Sequence, residues 1–319
     1  MISTPRRRLQ ALEAMAEEGR FLEKPVSVWK SAWRRLLRRK TGVTGMILIG
    51  FWVLVATFAP LIATHDPVRG LLSDEPGVLR RDPPCIHALG CSVEKPEHYL
   101  GLDGNARDEF SRIVYGSRVS LTIGLTTVTA AILVGAALGA IAGYFGSWID
   151  NVIMRIMDVV LGFPALLLAI AIVAVLGPGL TNALLAIAIV TIPQYARVMR
   201  ASVLQIKELD FVSASRALGA SNLRILFSRV IPNALTPLVV LGTLGIAGAI
   251  LEAAGLSFLG LGAQPPTPEW GTMLGEDREG VFTAPHLVFF PGAAIMLIVL
   301  GFNLLGDGLR DALDPRLND

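Results

Sequence analysis

Long uncharged apolar runs alternate with short charged stretches along this chain. Residues 119–148, 159–196 and 281–306 contain no Asp, Glu, Lys or Arg. Each exceeds the roughly 18 apolar residues that a helix needs to cross a bilayer. The pattern predicts six spans, at about 44–64, 117–144, 152–176, 180–199, 232–256 and 287–307. Gly177-Pro178-Gly179 marks a tight turn between the third and fourth. Pro232 opens the fifth, since the first turn of a helix tolerates proline. Spans two and five are rich in small residues (GAALGAIAG and GTLGIAGAILEAAG), as expected of helices packed closely in a bundle. The expected fold class is therefore all-α, a polytopic membrane protein.

Composition agrees: 17% of the 319 residues are charged, against about 25% in ordinary soluble domains. The apolar segment 46–63 follows a tail of more than forty residues and is long enough to span, so it is expected to be a retained anchor rather than a cleaved signal. The basic residues set the orientation. Residues 1–43 hold eleven Lys and Arg against four acids, and 196–231 hold six against two. The 263–286 loop holds one against four. With six spans, both termini and the 208–231 insert are expected in the cytoplasm. The chain then divides into a basic tail (1–43), a first span (44–64), an outer loop (65–116), a five-helix core (117–307) and a short tail (308–319). In the basic tail, Val26, Trp29, Trp33, Leu36 and Leu37 recur at helical spacing, with Lys30, Arg34, Arg35, Arg38 and Arg39 around them. This predicts an interfacial helix on anionic headgroups, or a plain positive-inside anchor with the same topology.

Several chemistries are missing. None of the five lysines follows a glycine, so the chain has no P-loop and is expected to have no ATPase site of its own and no catalytic residues. His65, His87, His98 and His286 are scattered over outer loops or near a span end, without a metal-binding spacing. Cys85 and Cys91, with five residues between them on the oxidising side, read most simply as a local disulfide. Free thiols, or a metal site with His87, are the alternatives. Ionisable groups within spans call for a functional hypothesis. Arg155 and Asp158 are three apart and are expected to pair on one helix face. Glu252 lies twenty residues past Pro232, or about 30 Å of helix, and is expected near the outer surface as a structural or gate-lining charge.

The stretch 208–233, ELDFVSASRALGASNLRILFSRVIPN, is polar, basic and helix-prone between two apolar spans. Phe211, Val212, Ala214, Ala217 and Leu218 predict a short helix that Gly219 ends. Ser221 is placed to cap a second, with Ile225, Leu226 and Phe227 apolar and Arg224 and Arg229 cationic. Two short helices tethered at both ends to spans are suited to passing a push from a cytoplasmic partner into the membrane. A surface hairpin without special function is the plain alternative.

This insert resembles the EAA loop of binding-protein-dependent ABC importer permeases. That pattern is Glu-Ala-Ala, three residues, a glycine, and a proline thirteen residues further on. Ser213-Ala214-Ser215, Gly219 and Pro232 match its spacing, with serine at Ser213 and Ser215 where the family has Glu and Ala. GLDGNARDEFSRIVYGSRVSLTIG (101–124) resembles a signature of the dipeptide/oligopeptide/nickel permeases, with Leu102 in place of threonine. Residues 251–274 and 289–316 resemble that family's last third, and the extra first span resembles its second permease subunit.

The resemblance implies a type I importer permease fold in the bacterial or archaeal cytoplasmic membrane. It implies a second permease as partner, two ABC ATPases that bind ATP and Mg, and an extracytoplasmic binding protein meeting the 65–116 and 263–286 loops. It implies no cofactor in this chain and no nucleic-acid partner. Ser213, Ala214, Ser215, Arg216, Gly219, Ala220 and Pro232 would carry the ATPase contact. Serine at 213 shifts that grip toward shape and toward Arg216, Arg224 and Arg229. Di- or oligopeptides are the implied substrate; nickel chelates, opines and sugars are the family's other cargoes. An ion-coupled carrier would need ionisable residues deep in the membrane or a pair of broken helices, and a membrane scaffold with no transport role is the third alternative.

Overall fold

The computed structural model describes residues 28–313. Val26, most of the 1–43 tail and the last six residues lie outside them. In chain order the helices are α1 (Val28–Leu36), α2 (Lys40–Thr57), α3 (Ala59–Ile62), α4 (Glu109–Phe145), α5 (Ser147–Leu161), α6 (Ala165–Leu176) and α7 (Leu180–Ile206). There follow α8 (Asp210–Ala217), α9 (Asn222–Ile225), α10 (Ile231–Phe258), α11 (Trp270–Glu276) and α12 (His286–Leu313). Five helical runs are individually long and apolar enough to cross a membrane: α2, α4, α7, the continuous 222–258 run and α12. The pair α5 and α6 is apolar and long enough only when taken together, and it is bent by 91° at a short break, as in a broken span or a re-entrant loop.

The bend corrects the expected single helix over 152–176. Pro164 lacks the N–H for a helical bond and its ring excludes α geometry from the residue before it. The chain turns at Gly162-Phe163-Pro164, between Leu161 and Ala165. The fifth span also differs from its expected 232–256. It begins at Asn222 and runs unbroken to Phe258. A widened π-helical turn over Leu226–Val230 precedes Pro232, with Ile231 N–H reaching back to the Leu226 carbonyl. Such a turn lets the helix absorb a proline that would otherwise break it. The second short helix is thus the first turn of the fifth span, not a separate element. The expected cap is also missing: Ser221 occupies the N-cap position but its side chain makes no capping bond.

The bundle is knit by glycines. Along α4, Gly135, Gly139 and Gly143 recur every four residues and face α7. A Cβ at Gly135 would lie 2.8 Å from the Ile192 carbonyl oxygen, and one at Gly143 2.9 Å from that of Arg200. Gly45 on α2 meets the backbone of Gly301 and Leu305 on α12 in the same way. Close backbone approach is how helices associate where lipid removes the hydrophobic drive between them. Near the start of α2, Leu36 is buried against Gly42 and Gly308, so this member of the predicted lipid-facing stripe packs on protein instead. Trp33 and Leu37 remain exposed.

At one end of the bundle the 63–108 segment folds back over the spans. Leu71, Val78, Leu102 and Ala106 form its own small core. Cys85 and Cys91 are joined in a disulfide, and Cys85 N–H donates to the His98 carbonyl at 2.9 Å. The polar insert lies at the far end of α7 and at the start of the 222–258 run.

Candidate coupling site

Helix α8 stops at Ala217 because Gly219 takes the left-handed conformation, at φ 83°. The Gly219 N–H donates to Arg216 O at 3.0 Å and the Ala220 N–H to Ser215 O at 3.2 Å. These paired bonds close the last carbonyls of the helix in a Schellman motif. Val212 anchors α8 from below, fully buried in the main core with Ile225, Leu226 and Val230. The 222–258 run is tied to α4 by Tyr144 and Asn222, whose side-chain oxygens are 3.2 Å apart. Lys207 Nζ, just before α8, donates to the Gly143 carbonyl at 3.0 Å.

The outward face carries apolar groups that a soluble surface would hide. Leu218 is 88% exposed, Phe227 66% and Leu223 60%. Ser213, Ala214, Arg216 and Gly219 are exposed beside them. A cleft of about 290 Å³ opens between α8 and the start of the next span, lined by Ser215, Leu218, Gly219, Ala220, Arg224 and Arg229 among others. Arg216, Arg224 and Arg229 are exposed and make no ion pair among the described residues. The structure therefore gathers the predicted residues around one apolar, cationic element, apart from Pro232, which lies beyond the cleft in α10. The Ser215 hydroxyl is engaged within its own helix, donating to the Phe211 carbonyl at 2.8 Å.

The intramembrane charges are arranged differently from expectation. Asp158 does not pair with Arg155 but accepts from Arg197 Nη2 of α7 at 2.6 Å. With α5 bent away from α6, it lies along α7, and Arg200 likewise pairs with Asp150 at 2.5 Å. Arg155 faces a neighbouring cavity of about 500 Å³ with Asp150 and Asp158. Glu252 is half-buried six residues before the end of α10, without a hydrogen bond or ion pair among the described residues.

At the opposite end, the 101–124 signature proves to be a buried network. Arg107 donates to Asp103 at 2.5 Å and to Glu276 at 2.8 Å. Arg112, 1% exposed, reaches Glu276 at 3.2 Å and the Pro67 carbonyl at 3.1 Å. Trp270 donates to the Ile113 carbonyl at 3.1 Å, and Glu269 caps α11 through the Thr272 N–H. Burial works against the Arg107 charge, but Asp103 and Glu276 outweigh it and raise its pKa. Burial and the charge of Asp103 raise the Asp277 pKa, against the pull of the Gly104 N–H and Arg81. The network joins the 65–116 and 263–286 loops into one cap. Sequence reasoning treated the signature only as a likeness; its alternating Asp and Arg before an apolar helix were the available signal.

The structure defines a multi-pass helical membrane protein with an exposed apolar and cationic element at one end of the bundle. Residues 135–319 match the family of binding-protein-dependent transport system inner membrane components, and residues 27–84 match the N-terminal transmembrane domain of oligopeptide transport permease C. The chain belongs to that family of inner membrane transport components. It is 49% identical over 292 residues to the dipeptide transport system permease protein DppC of Alkalihalophilus pseudofirmus, covering 92% of this chain and 91% of that one. It is 43% identical over 289 residues to the glutathione transport system permease protein GsiD of Pectobacterium atrosepticum, covering 91% of each. The di/tripeptide transport system permease protein DppC of Pseudomonas aeruginosa is 45% identical over 91% of this chain and 93% of its own. Among solved structures, the MetNI methionine ABC transporter, inward-facing, shares the fold, with a TM-score of 0.53 at 18% identity over 64% of this chain and 96% of that one.

Proposed function

We propose that this chain is a permease subunit of an ATP-driven importer of di- or oligopeptides, forming half of the pathway beside a second permease. Two partner ATPases bind ATP and Mg, and this chain contributes no catalytic residue. Helix α8 docks on one ATPase; a substrate-binding protein meets the cap formed by the 65–116 and 263–286 loops on the outer side. Both termini and α8 then face the cytoplasm, as the excess of Lys and Arg in 1–43 and 196–231 favours.

The observation that carries the reading is α8 itself. It is anchored by buried Val212, and exposed Leu218 just past its end stands beside exposed Leu223 and Phe227 at the start of the 222–258 run. Apolar side chains at a polar end of a membrane protein suit a protein partner. Peptide cargo rests on the relatives, since the dipeptide, di/tripeptide and glutathione permeases share 43–49% identity with this chain. The reading is tested by reconstituting the chain with its cognate permease, ATPases and binding protein in vesicles. Labelled dipeptide is expected to accumulate only with ATP and the binding protein present. Accumulation driven by an ion gradient without ATP would refute it.

A further inference from the structure

Four side chains far apart in sequence converge where the first span ends and the second begins. His65 follows α3, Glu75 and His98 lie in the folded loop, and Asp108 is the N-cap of α4. Asp108 Oδ2 is fully engaged: it accepts from Ser111 N–H at 2.8 Å, from the Ser111 hydroxyl at 2.6 Å and from Thr64 Oγ1 at 3.2 Å. That leaves Oδ1 to the imidazoles, with His98 Nδ1 at 3.2 Å and His65 Nδ1 at 3.8 Å. On their far sides, both rings face Glu75: His65 Nε2 lies 3.2 Å from Oε1 and His98 Nε2 3.2 Å from Oε2. The His98 contact is off-axis, so Nε2 of this 4% exposed side chain is close to a carboxylate but has no formed hydrogen bond.

A neutral imidazole carries one proton and one lone pair. Here each ring has carboxylate oxygens at both nitrogens. If the Nε2 protons face Glu75, both Nδ1 lone pairs and Asp108 Oδ1 point at one another in a buried place. In that tautomer a cation, either added protons or a metal ion, has to separate them; with its proton on Nδ1, His98 instead donates to Asp108 Oδ1 at 3.2 Å and turns an unpaired Nε2 toward Glu75. One donor atom from each of His65, His98 and Asp108 falls within 4.8 Å of the others. Ligand atoms of tetrahedral zinc, with bonds of about 2.0–2.1 Å, are about 3.3 Å apart, and the 3.2 and 3.8 Å separations bracket that edge. Glu75 stands where a carboxylate behind zinc-bound histidines fixes ring orientation. Thr64 Oγ1, 2.9 Å from His65 Nδ1, is the next oxygen at hand.

We propose that His65 Nδ1, His98 Nδ1 and Asp108 Oδ1 form a site for a resident divalent metal of the zinc class, with Glu75 orienting both rings. Two nitrogens and a carboxylate oxygen suit zinc rather than calcium or magnesium. The ion fastens the loop and the end of the first span to the N-terminus of the second. It lies outside the spans and is independent of the transported cargo.

The test uses the full-length chain in detergent, stripped with chelator and titrated with zinc alone, by equilibrium dialysis and elemental analysis. One ion per chain is expected. His65→Ala, at a half-buried position that need not hold the fold, is expected to weaken binding at least 100-fold. Glu75→Gln should weaken it about 10- to 100-fold, the usual effect of losing such a support. His87→Ala, in the exposed turn at 87–89, should leave affinity unchanged. Cobalt in place of zinc should give the visible absorption of a tetrahedral site, absent in His65→Ala. Substoichiometric zinc in the wild type would overturn the proposal, as protons then fill the cluster. So would equal affinity in wild type and His65→Ala, or a loss in His87→Ala as large as that in His65→Ala.

Discussion

At the residue scale, two kinds of ion pair have different consequences. Arg112 is buried between Glu276, Asp103 and two backbone carbonyls. Removing one partner of a buried pair leaves the other charge stranded, which costs about 3–5 kcal/mol. Arg112→Ala is therefore expected to lower the thermal stability of the purified chain severely, or to prevent its accumulation. Arg197 and Asp158 are each about half exposed. Pairs like this contribute about 0–1 kcal/mol, so Arg197→Ala should shift the melting temperature little. A comparable loss in both variants would contradict the assignment. The contrast was not legible in the sequence, where the Arg155–Asp158 spacing promised a local pair. Helical spacing shows which residues share a face, but the partner of Asp158 comes from α7, thirty-nine positions away, through a bend.

At the element scale, the short helix α8 and the α4–α7 contact carry separate predictions. Gly219 has no atom within 4 Å of where a Cβ would sit, so only its left-handed backbone opposes a side chain. Gly219→Ala should cost about 1 kcal/mol and loosen the end of α8, with Gly219→Asn milder. Transport is expected to fall in the alanine variant while the chain still folds, as read by uptake beside circular dichroism. Gly139 is crowded by the Ala196 carbonyl and Met199. Gly139→Val forces α4 away from α7 and should destabilise the bundle by about 1–3 kcal/mol or more, read as lost thermal stability in detergent. An unchanged melting temperature would sink the close-packing account. Five spans and the end of α8 at Gly219 were readable, because apolar length and a helix-stopping glycine are local signals. Two features were missed for local reasons too. Pro164 was present but outweighed by the uncharged run around it, and Pro232 read as a start because a widened turn has no signature in residue type.

At the scale of the whole molecule, the chain has two differently built ends. One is a cap, tied by Arg107, Arg112, Glu276 and the groups around Asp108. The other exposes α8 on a narrow buried anchor. Under the proposed reading, rigid attachment at one end and an exposed apolar face at the other suit a subunit that receives force through α8 while its loops keep their shape. The sequence showed both loops as candidate outer surfaces but not that they join, since Arg107 and Glu276 are 169 positions apart. The central claim is that α8 links this chain to ATPase partners. The most direct measurement is dipeptide uptake and ATP hydrolysis by the reconstituted transporter carrying Leu218→Asp, at a side chain 88% exposed, so that the substitution should leave folding intact. Uptake is expected to fall at least tenfold, with binding-protein-stimulated hydrolysis lost and basal hydrolysis by the ATPases retained. Wild-type uptake with normal stimulation would contradict the account.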